Sequence, residues 1–235
     1  MITLAYQSIH DHKANADAVA GEVLARWMRP DGAVVGPAEI VGVAGMGWGD
    51  IDELVLRAIL RSPRLMIGTQ PLFINVSDET LSSCILMANF CSLLAELSSA
   101  YQGQVVVEIP ETSPVNGLAL DGCLASFSNA GAFVAIDDFG ISYSDMSRLD
   151  MHEWSYCKLA LPSLATTPTL DWLISLQQKC RQRGIQVVCE QVERFSDIEL
   201  IRIFPNAWVQ GFAYSMPELI FSAAVDVEAA KCANF

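Results

Sequence analysis

The sequence predicts an α/β fold, a TIM-like (β/α)8 barrel with an antiparallel first strand. Three observations predict it. From Leu72 onward, short apolar runs alternate with helical segments, the pattern of repeated strand–helix units around a parallel sheet. Two further apolar runs come first, and counting both gives about eight strands, the number that closes such a barrel. No Ser/Gly/Pro linker or change of composition divides the 235 residues, so residues 1–235 read as a single domain.

Each element has its own signal. Ile2–Ile9 is the first strand and Ala18–Trp27 the second; the short polar turn between them makes the pair antiparallel. Pro30–Pro37 is a turn-rich loop. Helices are expected around Ala38–Ala44 and Ile51–Leu60. The glycine-rich run Gly42–Gly49 lacks the lysine and following Ser/Thr of a phosphate loop and reads as an inter-helix loop. Leu72–Val76 is a strand, and Asp78 is placed to cap a helix over Glu79–Ser99. Val105–Ile109 is a strand, Leu118–Asn129 a helix, and Phe133–Ile136 a short buried strand. A short helix over Ser144–Leu149, a strand over Ser155–Leu159 and a helix over Leu170–Arg183 follow, the last closed by Gly184. Ile185–Cys189 is a strand, Ser196–Ile203 a helix and Ala207–Val209 a last strand; Pro217 begins a final helical segment.

Composition narrows the function classes. Hydrophobic residues make up 52% and charged residues 17%, enough for a sizeable core. A formal charge of -13 excludes general attraction to a nucleic-acid backbone, which needs basic patches. A small anion remains possible if metal ions carry the positive charge. The seven cysteines are odd in number and show no CxxC spacing, which fits reduced thiols in a cytosolic protein and neither a disulfide framework nor a zinc site. No signal-peptide pattern is visible, and no apolar run reaches the ~18–20 residues of a membrane span. A cytoplasmic placement without membrane contact is the expectation.

The chemistry is concentrated at Asp137-Asp138-Phe139-Gly140. Two adjacent carboxylates at the end of a buried strand repel each other and resist desolvation, and a divalent cation is the usual way to hold both ionised. Other strands offer partners in or just after apolar runs: Glu22, Asn75, Glu108, Lys158, Glu190 and Gln210. In a parallel barrel the C-terminal strand ends meet on one face. Oxygen donors without His or Cys are hard ligands that suit Mg²⁺ or Mn²⁺. Enough of them for two ions points to two-metal hydrolysis of a phosphate ester, with the lysine near the attacking water. Plainer roles exist for single residues. Asn75 can cap a helix, Arg26 can pair with Glu22 or another acid, and Lys158 can be a snorkelling surface lysine.

In order along the chain, the motifs resemble those of the EAL domain family, phosphodiesterase domains that hydrolyse cyclic di-GMP in bacterial second-messenger signalling. Glu22-Val23-Leu24-Ala25-Arg26-Trp27 resembles the signature Glu-Ala-Leu with its following Arg-Trp. Tyr6-Gln7, Asn75-Val76-Ser77, Glu108-Ile109-Pro110-Glu111, Asp137-Asp138-Phe139-Gly140, Lys158, Glu190-Gln191-Val192-Glu193 and Gln210-Gly211-Phe212 resemble the motifs that follow. The resemblance runs from Tyr6 to about Pro217. It implies the same barrel with its first strand antiparallel, one Mg²⁺ or Mn²⁺ on Glu22, Asn75, Glu108 and Asp137, and a second involving Asp137, Asp138 and Glu190. It implies that Lys158 contacts the attacking water, that Gln7, Leu24 and Arg26 hold the dinucleotide, and that Glu193 and Gln210 support the site or touch the ligand. The implied product is the linear dinucleotide, and a homodimer is a further family expectation.

Several positions depart from the family pattern. Ser8 replaces a proline, Val23 an alanine, Ile141-Ser142 a Thr-Gly, Ala160 an aspartate and Gln191 a glycine. The ligand set is intact, which argues for turnover. The altered supporting groups argue for a weak or inactive domain that serves as a cyclic di-GMP receptor or a protein-interaction module.

Overall fold

The structure is a computed structural model, and it describes residues 2–13, 18–42, 45–164, 169–194 and 197–225. Its strands are β1 (Ile2–Asp11), β2 (Ala18–Met28), β3 (Val34–Val35), β4 (Leu72–Asn75), β5 (Val105–Ile109), β6 (Phe133–Phe139), β7 (Tyr156–Ala160), β8 (Gln186–Glu190), β9 (Trp208–Val209) and β10 (Glu218–Val225). Its helices are α1 (Trp48–Leu60), α2 (Pro63–Met66), α3 (Asp78–Ser82), α4 (Cys84–Ala100), α5 (Gly117–Asn129), α6 (Met146–Met151), α7 (Leu161–Leu164), α8 (Leu170–Arg183) and α9 (Ile198–Ile201).

Eight strands close the ring in the order β1, β2, β4, β5, β6, β7, β8, β9 and back to β1. The β2–β4 pair and every later neighbour in the ring up to β9 are parallel, whereas β1 runs antiparallel to both β2 and β9. This is the predicted barrel with its reversed first strand. Two short additions extend it. β3 pairs with the far end of β2, and β10 lies antiparallel along Ile2–Tyr6 of β1.

Alternation along each strand sorts side chains into two bodies. Inside the ring, Ile9, Ala20, Phe73, Val106, Ala135, Tyr156 and Val188 form a plug, with Trp208 against it. Each comes from a different ring strand. Phe73 and Tyr156 meet edge to face at 4.9 Å, a favoured aromatic geometry. The larger core lies between the outer faces of the strands and the helices, where Leu56, Ile59, Leu94, Leu97, Phe127 and Leu176 are buried.

Several elements differ from the sequence expectation. The segment after Pro217 is not helical: Glu218–Val225 is a strand because the edge of β1 beside Ile2–Tyr6 is open to it. In place of a helix around Ala38–Ala44, a single 3-10 turn spans Pro37–Glu39; Ala44 lies outside the described residues. The expected helix Glu79–Ser99 is two helices. Ser83 adopts an extended conformation between α3 and α4, and its hydroxyl accepts from the Leu86 N–H at the start of α4. Asp78 does not cap. Ser77 does, with its Oγ accepting from Thr80 N, while Asp78 accepts from Ser113 Oγ at 2.7 Å. The helix expected from Ser196 is the short α9, and Ser196 lies outside the described residues.

Candidate metal centre at the barrel mouth

One step of the pleat separates the plug from the polar residues. Two residues beyond Ala20, Phe73, Val106, Ala135, Tyr156, Val188 and Trp208 stand Glu22, Asn75, Glu108, Asp137, Lys158, Glu190 and Gln210. On the reversed β1 the matching position lies two residues earlier, at Gln7. Period-two alternation therefore puts one polar side chain from each ring strand into the layer directly above the plug, at the parallel strands' C-terminal ends.

Asp138 joins this layer through a local irregularity. The β6–β7 register shifts between Ile136 and Phe139, and Asp138 has φ +41°. In a regular strand Asp137 and Asp138 would face opposite sides of the sheet; the bulge turns both toward the mouth. One ligand oxygen each from Asp137, Asp138 and Glu190 lie within 4.8 Å of one another.

Lys158 stands at the centre and is 1% exposed. Its Nζ lies 2.6 Å from Glu108 Oε1, 2.9 Å from Glu190 Oε1, 3.2 Å from Asp137 Oδ1 and 3.4 Å from Glu22 Oε2. Burial alone would lower its pKa, but these four carboxylates outweigh it and hold the ammonium well above the usual lysine value. Glu22 feels burial pushing its pKa up, yet Lys158, Gln210 and Asn75 together pull it below the ordinary value. Gln210 Nε2 donates to Glu22 Oε2 at 2.7 Å, and Asn75 Nδ2 donates to Glu22 Oε1 at 2.9 Å. Glu108 and Glu190 go the other way. Burial first, then the neighbouring carboxylates, raise both well above the carboxylate range, against Lys158. Burial and the charges of Asp137 and Glu111 bring Asp138 up to about 6.

One lysine does not satisfy this many carboxylates. Both oxygens of Glu108, Asp137 Oδ1, Glu190 Oε2 and Gln210 Oε1 are buried without a hydrogen-bond partner. Two of these oxygens lie close to Lys158 Nζ, but the contacts are ion pairs without hydrogen-bond alignment. Buried acceptors left without donors are costly, and hard oxygen donors of this kind fit a divalent cation. The residues therefore suit a divalent cation.

Beside this cup lies a groove of about 860 Å³, lined among others by Glu22, Leu24, Arg26, Trp48, Val55 and Asn75. Arg26 forms no ion pair among the described residues; its Nη1 donates to the adjacent Ala25 carbonyl at 2.8 Å. It does not pair with Glu22 and leaves a half-buried cation at the groove's edge. Gln7 is engaged at both ends: its Oε1 accepts from Gln210 Nε2 at 3.2 Å, and its Nε2 donates to Ser215 O at 3.0 Å. Glu193 stays on the exposed rim, where its N–H donates to Asp197 Oδ2 at 3.1 Å. Gly211 permits the turn after Gln210, since a Cβ there would fall 2.2 Å from the Val192 carbonyl oxygen.

The departures noted above have structural counterparts. Among the described residues, the non-glycine residues with positive φ are Asp138, Ser142 and Gln191, the last two at +46° and +57°. Both stand where the family pattern has glycine, and both keep a backbone that glycine adopts more readily. Ala160 is buried beside Glu190 in the β7–β8 register and leaves that position without a carboxylate.

Two buried polar residues near the mouth were not singled out in the sequence. Asp52 on α1 accepts at Oδ2 from Ser77 N, Ser77 Oγ and Thr80 Oγ1, at 2.8, 2.6 and 2.7 Å. It fixes the turn after Asn75, and burial lifts its pKa to about 6. Its only sequence signal is an acid next to Ile51 and ahead of the apolar run Leu54–Leu56, and the adjacent Glu53 shares it. Arg148 is the other.

The chain is thus a (β/α)8 barrel whose C-terminal mouth gathers carboxylates suited to a divalent metal. The chain belongs to the EAL domain family, whose sequence model matches residues 1–217. RocR of Pseudomonas aeruginosa, a cyclic di-GMP phosphodiesterase, is 30% identical over 213 residues, spanning 85% of this chain and 53% of RocR. The chain spans about half or less of the length of the curated relatives it matches, 41% in the case of a probable cyclic di-GMP phosphodiesterase, PdeG of Escherichia coli. The barrel superimposes on the PaMucR phosphodiesterase in its c-di-GMP complex with a TM-score of 0.75 at 23% identity, covering 92% of each chain.

Proposed function

We propose that the protein is a metal-dependent phosphodiesterase that opens cyclic di-GMP to the linear dinucleotide pGpG. The observation that carries this reading is the polar layer itself: one side chain from each ring strand, with buried carboxylate oxygens left unpaired. Glu22, Asn75, Glu108, Asp137, Asp138 and Glu190 would hold Mg²⁺ or Mn²⁺, as two ions. When bound, such cations lower the pKa of water and offset charge on the phosphoryl group. Family membership and relatives named as cyclic di-GMP phosphodiesterases support the substrate. So does the manganese and cyclic di-GMP complex of Klebsiella pneumoniae BlrP1, similar in fold with a TM-score of 0.73 at 24% identity over 93% of this chain and 56% of BlrP1.

The chain's own residues have distinct tasks. Arg26, without a carboxylate partner, holds a phosphate of the substrate. Leu24 supplies apolar contact along the groove. Lys158 keeps its proton among four carboxylates, orients the attacking water and offsets charge developing on the phosphoryl oxygens. Gln210 and Gln7 hold Glu22 and its strand in place, and Glu193 stands at the rim. A second reading, a receptor that binds cyclic di-GMP without turnover or docks a protein partner, is favoured by the non-glycine backbones at Ser142 and Gln191 and by Ala160.

The test incubates purified protein with cyclic di-GMP and Mn²⁺ or Mg²⁺ and separates the products by chromatography. Linear dinucleotide that EDTA abolishes is the expected result. No product, with binding still seen by calorimetry, would replace the enzyme with the receptor.

A further inference from the structure

Arg148 is 1% exposed and is among the largest fully buried side chains of the described residues. Among those residues no carboxylate forms an ion pair with it. Its guanidinium donates instead to three backbone carbonyls of one loop. Nη1 reaches Pro110 O at 3.3 Å, and Nη2 reaches Ser113 O and, at 2.8 Å, Val115 O. All three carbonyls belong to the β5–α5 loop, which begins at Pro110, two residues after Glu108. Arg148 itself stands on α6, just after the Gly140–Ser144 loop that follows the aspartate pair. Asp145 caps α6 by accepting from Arg148 N at 2.9 Å, and Trp154 Nε1 donates to Arg148 O at 3.1 Å, so both ends of α6 are held.

The two loops also meet directly, where Tyr143 N donates to Glu111 O at 2.9 Å. Ser113 Oγ donates to Asp78 Oδ1 at 2.7 Å and gives the β5–α5 loop an anchor on α3. Burying a guanidinium without a counter-ion costs stability, and an apolar side chain of similar volume would avoid that cost. What an apolar side chain does not supply is a planar fork that gathers three carbonyls at one point.

We propose that Arg148 is a positioning residue that latches the β6–α6 loop to the β5–α5 loop and so fixes the separation of Glu108 from the Asp137-Asp138 pair. The role rests on the proposed metal-dependent function. The latch acts entirely through backbone and touches no ligand oxygen.

Two measurements on Arg148→Met test it. The first is amide hydrogen exchange of the metal-free protein. Exchange should quicken at residues 140–144, to which the guanidinium makes no hydrogen bond; wild-type protection there overturns the latch. The second is Mn²⁺ affinity by calorimetry, expected to fall about tenfold or more, the usual effect of losing a group that orients metal ligands. Unchanged affinity in a folded variant also overturns it. Should Arg148→Met not fold, Arg148→Lys keeps the charge and loses the fork. Its 140–144 exchange should still exceed wild type, and wild-type exchange in that variant sinks the latch. A wild-type protein that binds no Mn²⁺ would refute the metal-dependent function, while the exchange measurement still decides the latch.

Discussion

Lys158 and Glu22 lie in contact yet call for different outcomes when altered. Under the proposed function, Lys158→Ala should slow kcat by about a hundredfold or more, because the charge stabilisation assigned to the ammonium is lost. Binding of cyclic di-GMP should weaken far less; equal losses in both would point to a structural lysine. Glu22 accepts from Asn75 and Gln210 and sits next to Lys158, so Glu22→Ala removes a proposed metal ligand and the acceptor that orients two neighbours. Turnover should disappear, and a fully active variant would remove the metal assignment. Ser142, exposed with φ +46°, supports the opposite kind of change. A left-handed backbone costs a non-glycine residue roughly 1–2 kcal/mol, partly offset by the extra freedom glycine has when unfolded. Ser142→Gly should therefore stabilise the protein by about 0.5–1 kcal/mol in urea unfolding.

Among the elements, the contact between α1 and the β4–α3 turn is governed by Asp52. Its pKa rises from 3.8 to about 6 on folding, so the folded state holds the proton more tightly than the unfolded chain. The stability this gives is complete below about pH 4 and is lost as pH rises toward about 6. The size is on the order of 2–3 kcal/mol. Asp52→Asn keeps an acceptor for Ser77 and removes the titration. Unfolding free energies measured across that range should fall with pH more steeply in the wild type than in the variant; parallel curves would show that Asp52 does not titrate there.

Features set by neighbouring residues were legible in the sequence, and those set by distant partners were not. Strand runs and helix caps are local, so β5, α8 and Gly184 lie where periodicity put them. The polar residue above each plug position is also local, since alternation alone carries it into the ring. The β6 bulge has no such signal: Asp137-Asp138 reads as an ordinary strand end, and only the register break shows how both acids reach one side. β10 escaped because Glu218–Val225 is apolar enough for either state, and what decides is the open edge of a strand some two hundred residues earlier. Arg148 escaped because its partners are carbonyls, which leave no mark on side-chain identity.

At the scale of the whole molecule, the cup concentrates negative charge that Lys158 offsets only in part. A cation that binds the folded state and not the unfolded chain stabilises it by mass action, about 2.7 kcal/mol at a hundred times its Kd. Mn²⁺ should raise the melting temperature in a concentration-dependent way that EDTA reverses. An unchanged melting temperature at saturating Mn²⁺ would argue against a resident cation.

The ring closes on β1, and that has a kinetic side. Gln7 meets Gln210, and Leu4 meets Ile220, across more than two hundred residues of sequence, whereas the parallel neighbours pair over far shorter spans. Contacts so distant along the chain are the slowest to form, because the loop entropy must be lost before they contribute. As the polypeptide emerges during synthesis, β1 has β2 beside it but must wait for β9 and β10. Until they arrive, Glu22 lacks the Gln210 amide that helps keep it ionised. The polar layer at the mouth is thus completed by the last pairing to form, and a partly folded chain that still exposes the edge of β1 would carry that layer incomplete.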